Sequence, residues 1–312
     1  MIFYKENMRD VFGKTLVELG EKYKKLIVLD ADLNTSTRTV YFKEKFPNRF
    51  IQCGVAEGNM IGIAAGLAFM GFIPFPCSFA SFTIRKGLDQ IFMNICYPRL
   101  NVKIPGSYVG ITATENGPSH NIVEDIAIMR SLPYMRIIAP GDNRELRSAM
   151  YKMMEYEGPV YFRVPRIKPP ILFSEDYTFE WGKGVILKEG KDISLLSTGM
   201  MTGIALKAAE ILDKDGINVE VIHFGSIKPI DEELIIKTAE KTGCVVTIEN
   251  GKITGGFGGI IAEILSKEKP TPVQIMGIKG DVVESASLSD LLKHHKLTPK
   301  DIAQEIKKIL KN

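Results

Sequence analysis

Between Arg49 and Arg85, Glu57 is the single charged residue of the sequence. In Gly54-Val55-Ala56-Glu57-Gly58-Asn59-Met60-Ile61-Gly62-Ile63-Ala64-Ala65-Gly66-Leu67-Ala68 it is the single acid among small and apolar residues. A β-prone run, Arg49-Phe50-Ile51-Gln52-Cys53, precedes this stretch, and Phe72-Ile73-Pro74-Phe75 follows as a further strand. The stretch between has helical length, although Gly58, Gly62 and Gly66 each weaken a helix by about 1 kcal/mol against Ala. Glycines four apart share one face, which a second backbone can approach closely. Glu57 then falls in the first turn, where the helix dipole favours negative charge. Two roles are open to it. It either complements that dipole at the surface, or it is a carboxylate at a buried interface holding a proton on a bound group.

Other stretches carry chemistry of their own. Leu26-Ile27-Val28-Leu29 reads as a buried strand and runs into the polar loop Asp30-Ala31-Asp32-Leu33-Asn34-Thr35-Ser36-Thr37. Such a loop at a strand's carboxyl end is where α/β folds place ligands, and it serves equally as a helix N-cap. Phe79 and Phe82 lie three apart, a spacing that suits a core or a ring-binding face. His120, one of four histidines, closes the turn-rich run Gly110-Ile111-Thr112-Ala113-Thr114-Glu115-Asn116-Gly117-Pro118-Ser119-His120-Asn121. It is a cap, a surface residue or a proton-transfer group. His223 reads as structural, and His294 and His295 as surface residues. No His or carboxylate set has metal-ligand spacing along the chain. Gly255-Gly256-Phe257-Gly258-Gly259 lacks the Gly-Lys-Ser/Thr ending of a phosphate loop and the dinucleotide context, so it reads as a tight turn into a helix.

The scaffold that positions these residues is α/β. The chain has 312 residues, 45% of them hydrophobic and 25% charged, enough for two domains with full cores. A net charge of +3, with both signs interspersed, argues against nucleic acid as a partner. The four cysteines, Cys53, Cys77, Cys96 and Cys244, show no paired spacing and read as reduced, mostly buried thiols of a cytoplasmic protein. The N-terminus lacks a signal-peptide pattern, and no apolar run is long enough to span a membrane.

Helical periodicity covers residues 8–19, 88–95, 123–131 and 142–154, the last opened by Asp142 as cap. Strands are expected at 26–29, 49–53, 72–75, 101–104, 135–140 and 158–166. After a Pro-rich start at Lys168-Pro169-Pro170 the rhythm repeats, with strands at 193–197, 219–223, 244–248 and 273–276 and a last amphipathic helix at 299–310. This places one domain at 1–168, a linker at 169–184 and a second domain at 185–312, each a three-layer α/β/α unit.

Residues Ala56 to Ala68 match the pattern Ala-Glu-x-x-x-x-Gly-Ile-Ala-x-Gly-Leu-Ala, and the chain thereby resembles the thiamine-diphosphate enzymes of the transketolase family. The resemblance implies a pyrimidine-binding domain followed by the family's C-terminal domain. It implies that Glu57 hydrogen-bonds the ring nitrogen of the aminopyrimidine, with Phe82 as the stacking ring and Phe79 beside it, worth about 0.5–1.5 kcal/mol beyond burial. In the Ala-Asp-Leu-x-x-Ser pattern, Asp32 is implied near the cofactor and Ser36 at the sugar phosphate. The Glu-x-Gly-Pro-Ser/Thr-His loop implies that His120 touches the donor's hydroxyl groups. Family position gives Arg166 a phosphate contact, with Arg9 a second candidate, since a guanidinium fork suits a phosphate monoester. For either arginine a surface salt bridge is the plain alternative.

Three positions depart from the family pattern. Asn116 replaces an Asp that reads a donor hydroxyl, Tyr108 stands where a phosphate-binding His is common, and Arg85 replaces a third aromatic. The family's Gly-Asp-Gly…Asn metal motif does not occur; Gly141-Asp142-Asn143 and Gly280-Asp281-Val282 lack the second Gly. The resemblance therefore implies the C-terminal subunit of a split transketolase, with no metal site of its own. Its magnesium or calcium ion and the diphosphate would be held by an N-terminal partner subunit in a two-fold α2β2 assembly. The implied reaction moves a two-carbon ketol unit from a ketose phosphate to an aldose phosphate, a step of pentose phosphate metabolism. The alternatives are the β subunit of a 2-oxo acid dehydrogenase, which shares both domains, and a non-catalytic paralogue.

Overall fold

The structure is a computed structural model and describes residues 1–280 and 282–311; Asp281 of the Gly280-Asp281-Val282 tripeptide lies outside them. The first half carries β1 (Leu26–Asp30), β2 (Phe50–Gln52), β3 (Ile73–Phe79), β4 (Lys103–Ser107), β5 (Arg136–Ile138) and β6 (Val160–Val164). The second carries β7 (Val185–Lys188), β8 (Ile193–Ser197), β9 (Val219–His223), β10 (Ser226–Lys228), β11 (Val245–Lys252) and β12 (Val273–Ile278). They form a seven-stranded sheet ordered β10-β5-β6-β4-β3-β1-β2 and a five-stranded sheet ordered β12-β11-β8-β9-β7. Pairing is parallel except at the edges, where β10 and β7 run antiparallel to β5 and β9.

Strand alternation explains the layers. Ile27 and Leu29 of β1 point into a core shared with the helices Glu57–Phe69 and Ala80–Gln90, while Leu26 and Val28 pack with Phe12, Leu16 and Met150 of the helices Met8–Lys22 and Asn143–Met153. β1, β4 and β6 are buried throughout, as expected of central parallel strands covered on both faces. In the second half, Leu195, Val221 and Ile248 pack against Ala205 and Leu212 of the helix Met201–Asp213 and Ile302 and Ile306 of Pro299–Ile309.

The elements expected from the apolar runs are present, with bounds shifted by a few residues. The helix expected from 123 begins at Asp125, and the helix through Ile95 ends as a π-helical turn, Ile91–Cys96. Short pieces escaped the sequence reading, among them β7, β10 and the helices Asn34–Thr37, Val40–Lys45 and Leu288–His294. β10 is notable because it joins the other domain's sheet, beside β5. Residues 169–184 hold no helix or strand beyond one bridge, Pro170 to Phe3, yet Phe173 and Phe179 are buried, so this connection is packed down.

The cysteines are all free thiols, Cys77 and Cys96 buried. His223 is structural, as expected, held by Glu145 at 2.7 Å and Thr202 at 2.7 Å. His295 corrects the sequence reading. Its side chain is only 6% exposed, because the end of the helix Leu288–His294 turns it inward, whereas His294 stays in solvent.

Candidate active site

Glu57 opens the helix Glu57–Phe69 with Ala56 in a non-helical cap conformation. Its side chain is 2% exposed. Oε2 accepts from Lys86 Nζ at 2.9 Å; Oε1 is buried and has no hydrogen-bond partner. A buried unpaired carboxylate oxygen costs about 1–3 kcal/mol or more, and this one is left as an unused acceptor within the chain. Gly58 brings the helix Ala80–Gln90 close, with Lys86 O 3.3 Å from where a Cβ would stand.

Lys86 leads from Glu57 to the rings. Its Nζ lies 4.5 Å from the Phe82 centroid. Phe82 stacks beside Phe79 at 5.7 Å and 26°, Phe79 meets Tyr108 at 4.2 Å, and His120 stands edge-on to Phe82 at 5.0 Å. Leu33 and Ala113 complete the cluster. One cluster thus holds Phe79, Phe82, Tyr108 and His120, and Lys86 links it to the Glu57 carboxylate. That arrangement fits a flat heteroaromatic ring bearing an acidic or protonated nitrogen, and so fits the aminopyrimidine of thiamine diphosphate.

A cationic end adjoins the cluster. Arg9 Nη1 donates to Tyr108 Oη at 2.5 Å and to Ser36 O at 3.3 Å, while Arg9 Nε is buried without a partner. Arg166, exposed, has its guanidinium 5.5 Å from the Tyr108 ring centroid. Tyr108 adopts φ 62°, a left-handed conformation, and both guanidinium groups lie within 6 Å of its ring centroid, Arg9 at 5.8 Å and Arg166 at 5.5 Å. The two arginines are therefore brought together by the residue that departs from the family's histidine.

Asp32 is exposed, also at positive φ (63°), with its N–H on Gln52 Oε1 at 2.9 Å. The carboxylate that shapes its loop is Asp30, fully buried. It accepts from Leu33 N at 2.6 Å, Thr37 Oγ1 at 2.9 Å and Thr39 Oγ1 at 2.8 Å, and burial holds its pKa above the usual range.

Asn116 lies exposed on a single turn, Thr114–Asn116. His120 is half-buried, and its Nδ1 lies 2.8 Å from Ser119 Oγ. Their loop is held by two residues whose role the sequence reading missed. Asn121, buried, accepts from Ala113 N at 3.1 Å and donates to Gly117 O at 3.1 Å. Arg85 donates to Pro118 O at 3.1 Å, Asn121 O at 3.2 Å and Glu124 at 2.7 Å, which accounts for a guanidinium where the family has a ring. Beneath, buried Arg163 pairs with Asp125 at 2.8 Å and donates to Asn250 at 2.7 Å, tying this loop's support to the second sheet.

Two parallel-rich α/β sheets thus carry a buried first-turn acid, Glu57, linked through Lys86 to an aromatic cluster. The comparisons specify the family. The family model for the transketolase pyrimidine binding domain matches residues 5–170, and that for the transketolase C-terminal domain matches residues 182–302. A Methanocaldococcus jannaschii protein described as "Putative transketolase C-terminal section" is 44% identical over 98% of this chain and 97% of its own length. A 6-deoxy-6-sulfo-D-fructose transketolase subunit from Clostridium sp. is 42% identical over 95% of this chain and 92% of its own. Among solved structures, one described as a split gene transketolase, inactive beta4 tetramer, superposes with TM-score 0.91 at 43% identity, covering 100% of this chain and 99% of that one. The chain belongs to the transketolase family, which depends on thiamine diphosphate, and carries its pyrimidine-binding and C-terminal domains.

Proposed function

We propose that this chain is the C-terminal subunit of a split transketolase, transferring a two-carbon ketol unit from a ketose phosphate to an aldose phosphate. The observation that carries this reading is the orphaned, buried Oε1 of Glu57, whose carboxylate Lys86 links to the Phe79–Phe82–His120 cluster. Bound thiamine diphosphate would supply the electron sink that lets the bond next to a ketose carbonyl break. Glu57 holds the proton at the pyrimidine nitrogen through Oε1, while Lys86 fixes the carboxylate through Oε2. Phe82 and Phe79 set the plane of the ring. His120 orients and polarises the donor's oxygens, and Asn116 makes a further contact to the donor. Arg166, Arg9 and Ser36 hold the anionic tail of the sugar, with both guanidinium groups by the Tyr108 ring.

The same reading gives the partner. Gly62 and Gly66 have nothing within 4 Å of an added Cβ, and Val55, Phe69, Met70, Met93 and Tyr97 are exposed. This open apolar face supports burial against other subunits. An N-terminal subunit would hold the diphosphate and its magnesium or calcium ion, in a two-fold α2β2 heterotetramer. The related structure described as an inactive beta4 tetramer supports the expectation that the chain alone assembles but turns nothing over.

The test is sedimentation and activity of the purified chain with and without the partner, thiamine diphosphate and magnesium. The expected result is activity only in the mixture. Full transketolase activity from this chain alone overturns the split reading, and carbon dioxide release from a 2-oxo acid would favour the dehydrogenase alternative.

A further inference from the structure

A cleft of about 560 Å³ opens in the second domain, lined by Gln274, Met276, Lys279, Glu284, His295 and Asp301 among others. Glu284 comes from the segment after β12, and His294 and His295 end the helix Leu288–His294. His294 Nε2 lies 3.3 Å from Glu284 Oε1, and His295 Nε2 lies 3.5 Å from Glu284 Oε2. The three donor atoms all fall within 4.8 Å of one another.

His295 makes this more than a surface pairing. Its side chain is 6% exposed, and its Nε2 is buried without a hydrogen-bond partner despite the nearby carboxylate. A buried unpaired nitrogen is unfavourable by about 1–3 kcal/mol. Around a tetrahedral ion with metal–nitrogen bonds of about 2.0–2.1 Å, neighbouring donors stand about 3.3 Å apart. The two histidine-to-carboxylate spacings, 3.3 and 3.5 Å, lie near this value, and the full set falls within 4.8 Å. Burial also lowers the His295 pKa, against the opposing pull of Glu284.

We propose that Glu284, His294 and His295 form a binding site for a divalent transition metal of the zinc class. Two imidazoles and one carboxylate suit such an ion, whereas harder ions take all-oxygen sites. Three protein ligands would leave a fourth position, facing the cleft that Lys279, Lys296 and Lys308 also line. The residue after Glu284 extends the consequence, because Ser285 Oγ donates to Glu115 O in the loop of Asn116. An ion at Glu284 fixes the segment that backs this loop.

The test uses the full chain, with any affinity tag removed and stripped with chelator. Cobalt and zinc are titrated separately, followed by calorimetry and by visible cobalt absorption. The expected result is one ion per chain, bound through nitrogen and oxygen donors. His294→Gln, at a side chain 61% exposed, leaves the fold intact and weakens binding by at least about tenfold, as does Glu284→Gln. Absence of stoichiometric binding, or equal affinity in both variants and the natural chain, overturns the site.

Discussion

Replacing Glu57 with Gln separates the two jobs of its carboxylate. Oε2 holds Lys86 at 2.9 Å, and Oε1 is free for the cofactor. Glutamine keeps the volume but puts an NH2 group where one carboxylate oxygen stood, so either Lys86 or a ring donor faces a donor instead of an acceptor. Its amide also cannot hold the proton that the carboxylate shares. The expected fall in kcat is at least about a hundredfold, roughly 2.7 kcal/mol of barrier. Stability changes little. Lys86 is 49% exposed, so the ion pair contributes at most about 1 kcal/mol, and loss of a buried charge offsets part of it. The melting temperature should stay within about 4 °C. The assay is steady-state ketol transfer with the partner subunit at saturating thiamine diphosphate, with circular dichroism to show an intact fold. Turnover within a few-fold of the natural chain at saturating cofactor would remove Glu57 from the chemistry and refute the reading of its orphaned oxygen.

Other outcomes follow from the same geometry. Arg166→Ala should raise KM for a phosphorylated acceptor far more than for its unphosphorylated analogue, since Arg166 and Arg9 both lie by the Tyr108 ring; equal effects would make Arg166 structural. Arg85→Ala removes the donors to Pro118 O, Asn121 O and Glu124, and should lower kcat by about tenfold through the His120 loop while leaving cofactor affinity unchanged. Glu249, buried against the amides of Phe257 and Gly258, has its pKa pushed up to about 7 by burial, against an ordinary value of 4.5. The folded chain then binds more protons than the unfolded one between those values. Stability should therefore fall as pH rises from 4.5 to about 7, by roughly 3 kcal/mol from this group, and Glu249→Gln should flatten that slope in denaturant unfolding.

The sequence by itself determined the local features of this protein. Apolar runs such as Leu26-Ile27-Val28-Leu29 became central strands because a parallel strand covered on both faces has no polar alternative. Asp142 caps its helix through Glu145 N at 2.9 Å, and the Gly255–Gly259 run turns into the helix Phe257–Glu268, because both are settled within a few residues. Glu57 was legible as an acid out of place. Its orphaned oxygen was not, since that depends on which neighbours fail to reach it. The tertiary structure alone decided the rest: Asp30 rather than Asp32 as the buried organiser, Arg85 reaching the His120 loop, Arg163 joining Asn250 across 87 residues, and His295 turned inward to Glu284. Arg85 and Arg163 reach their partners, 36 and 87 residues away, only once the two sheets and their helices are packed together. A polar residue's partner is chosen by what the fold buries beside it, and sequence spacing carries no record of that choice.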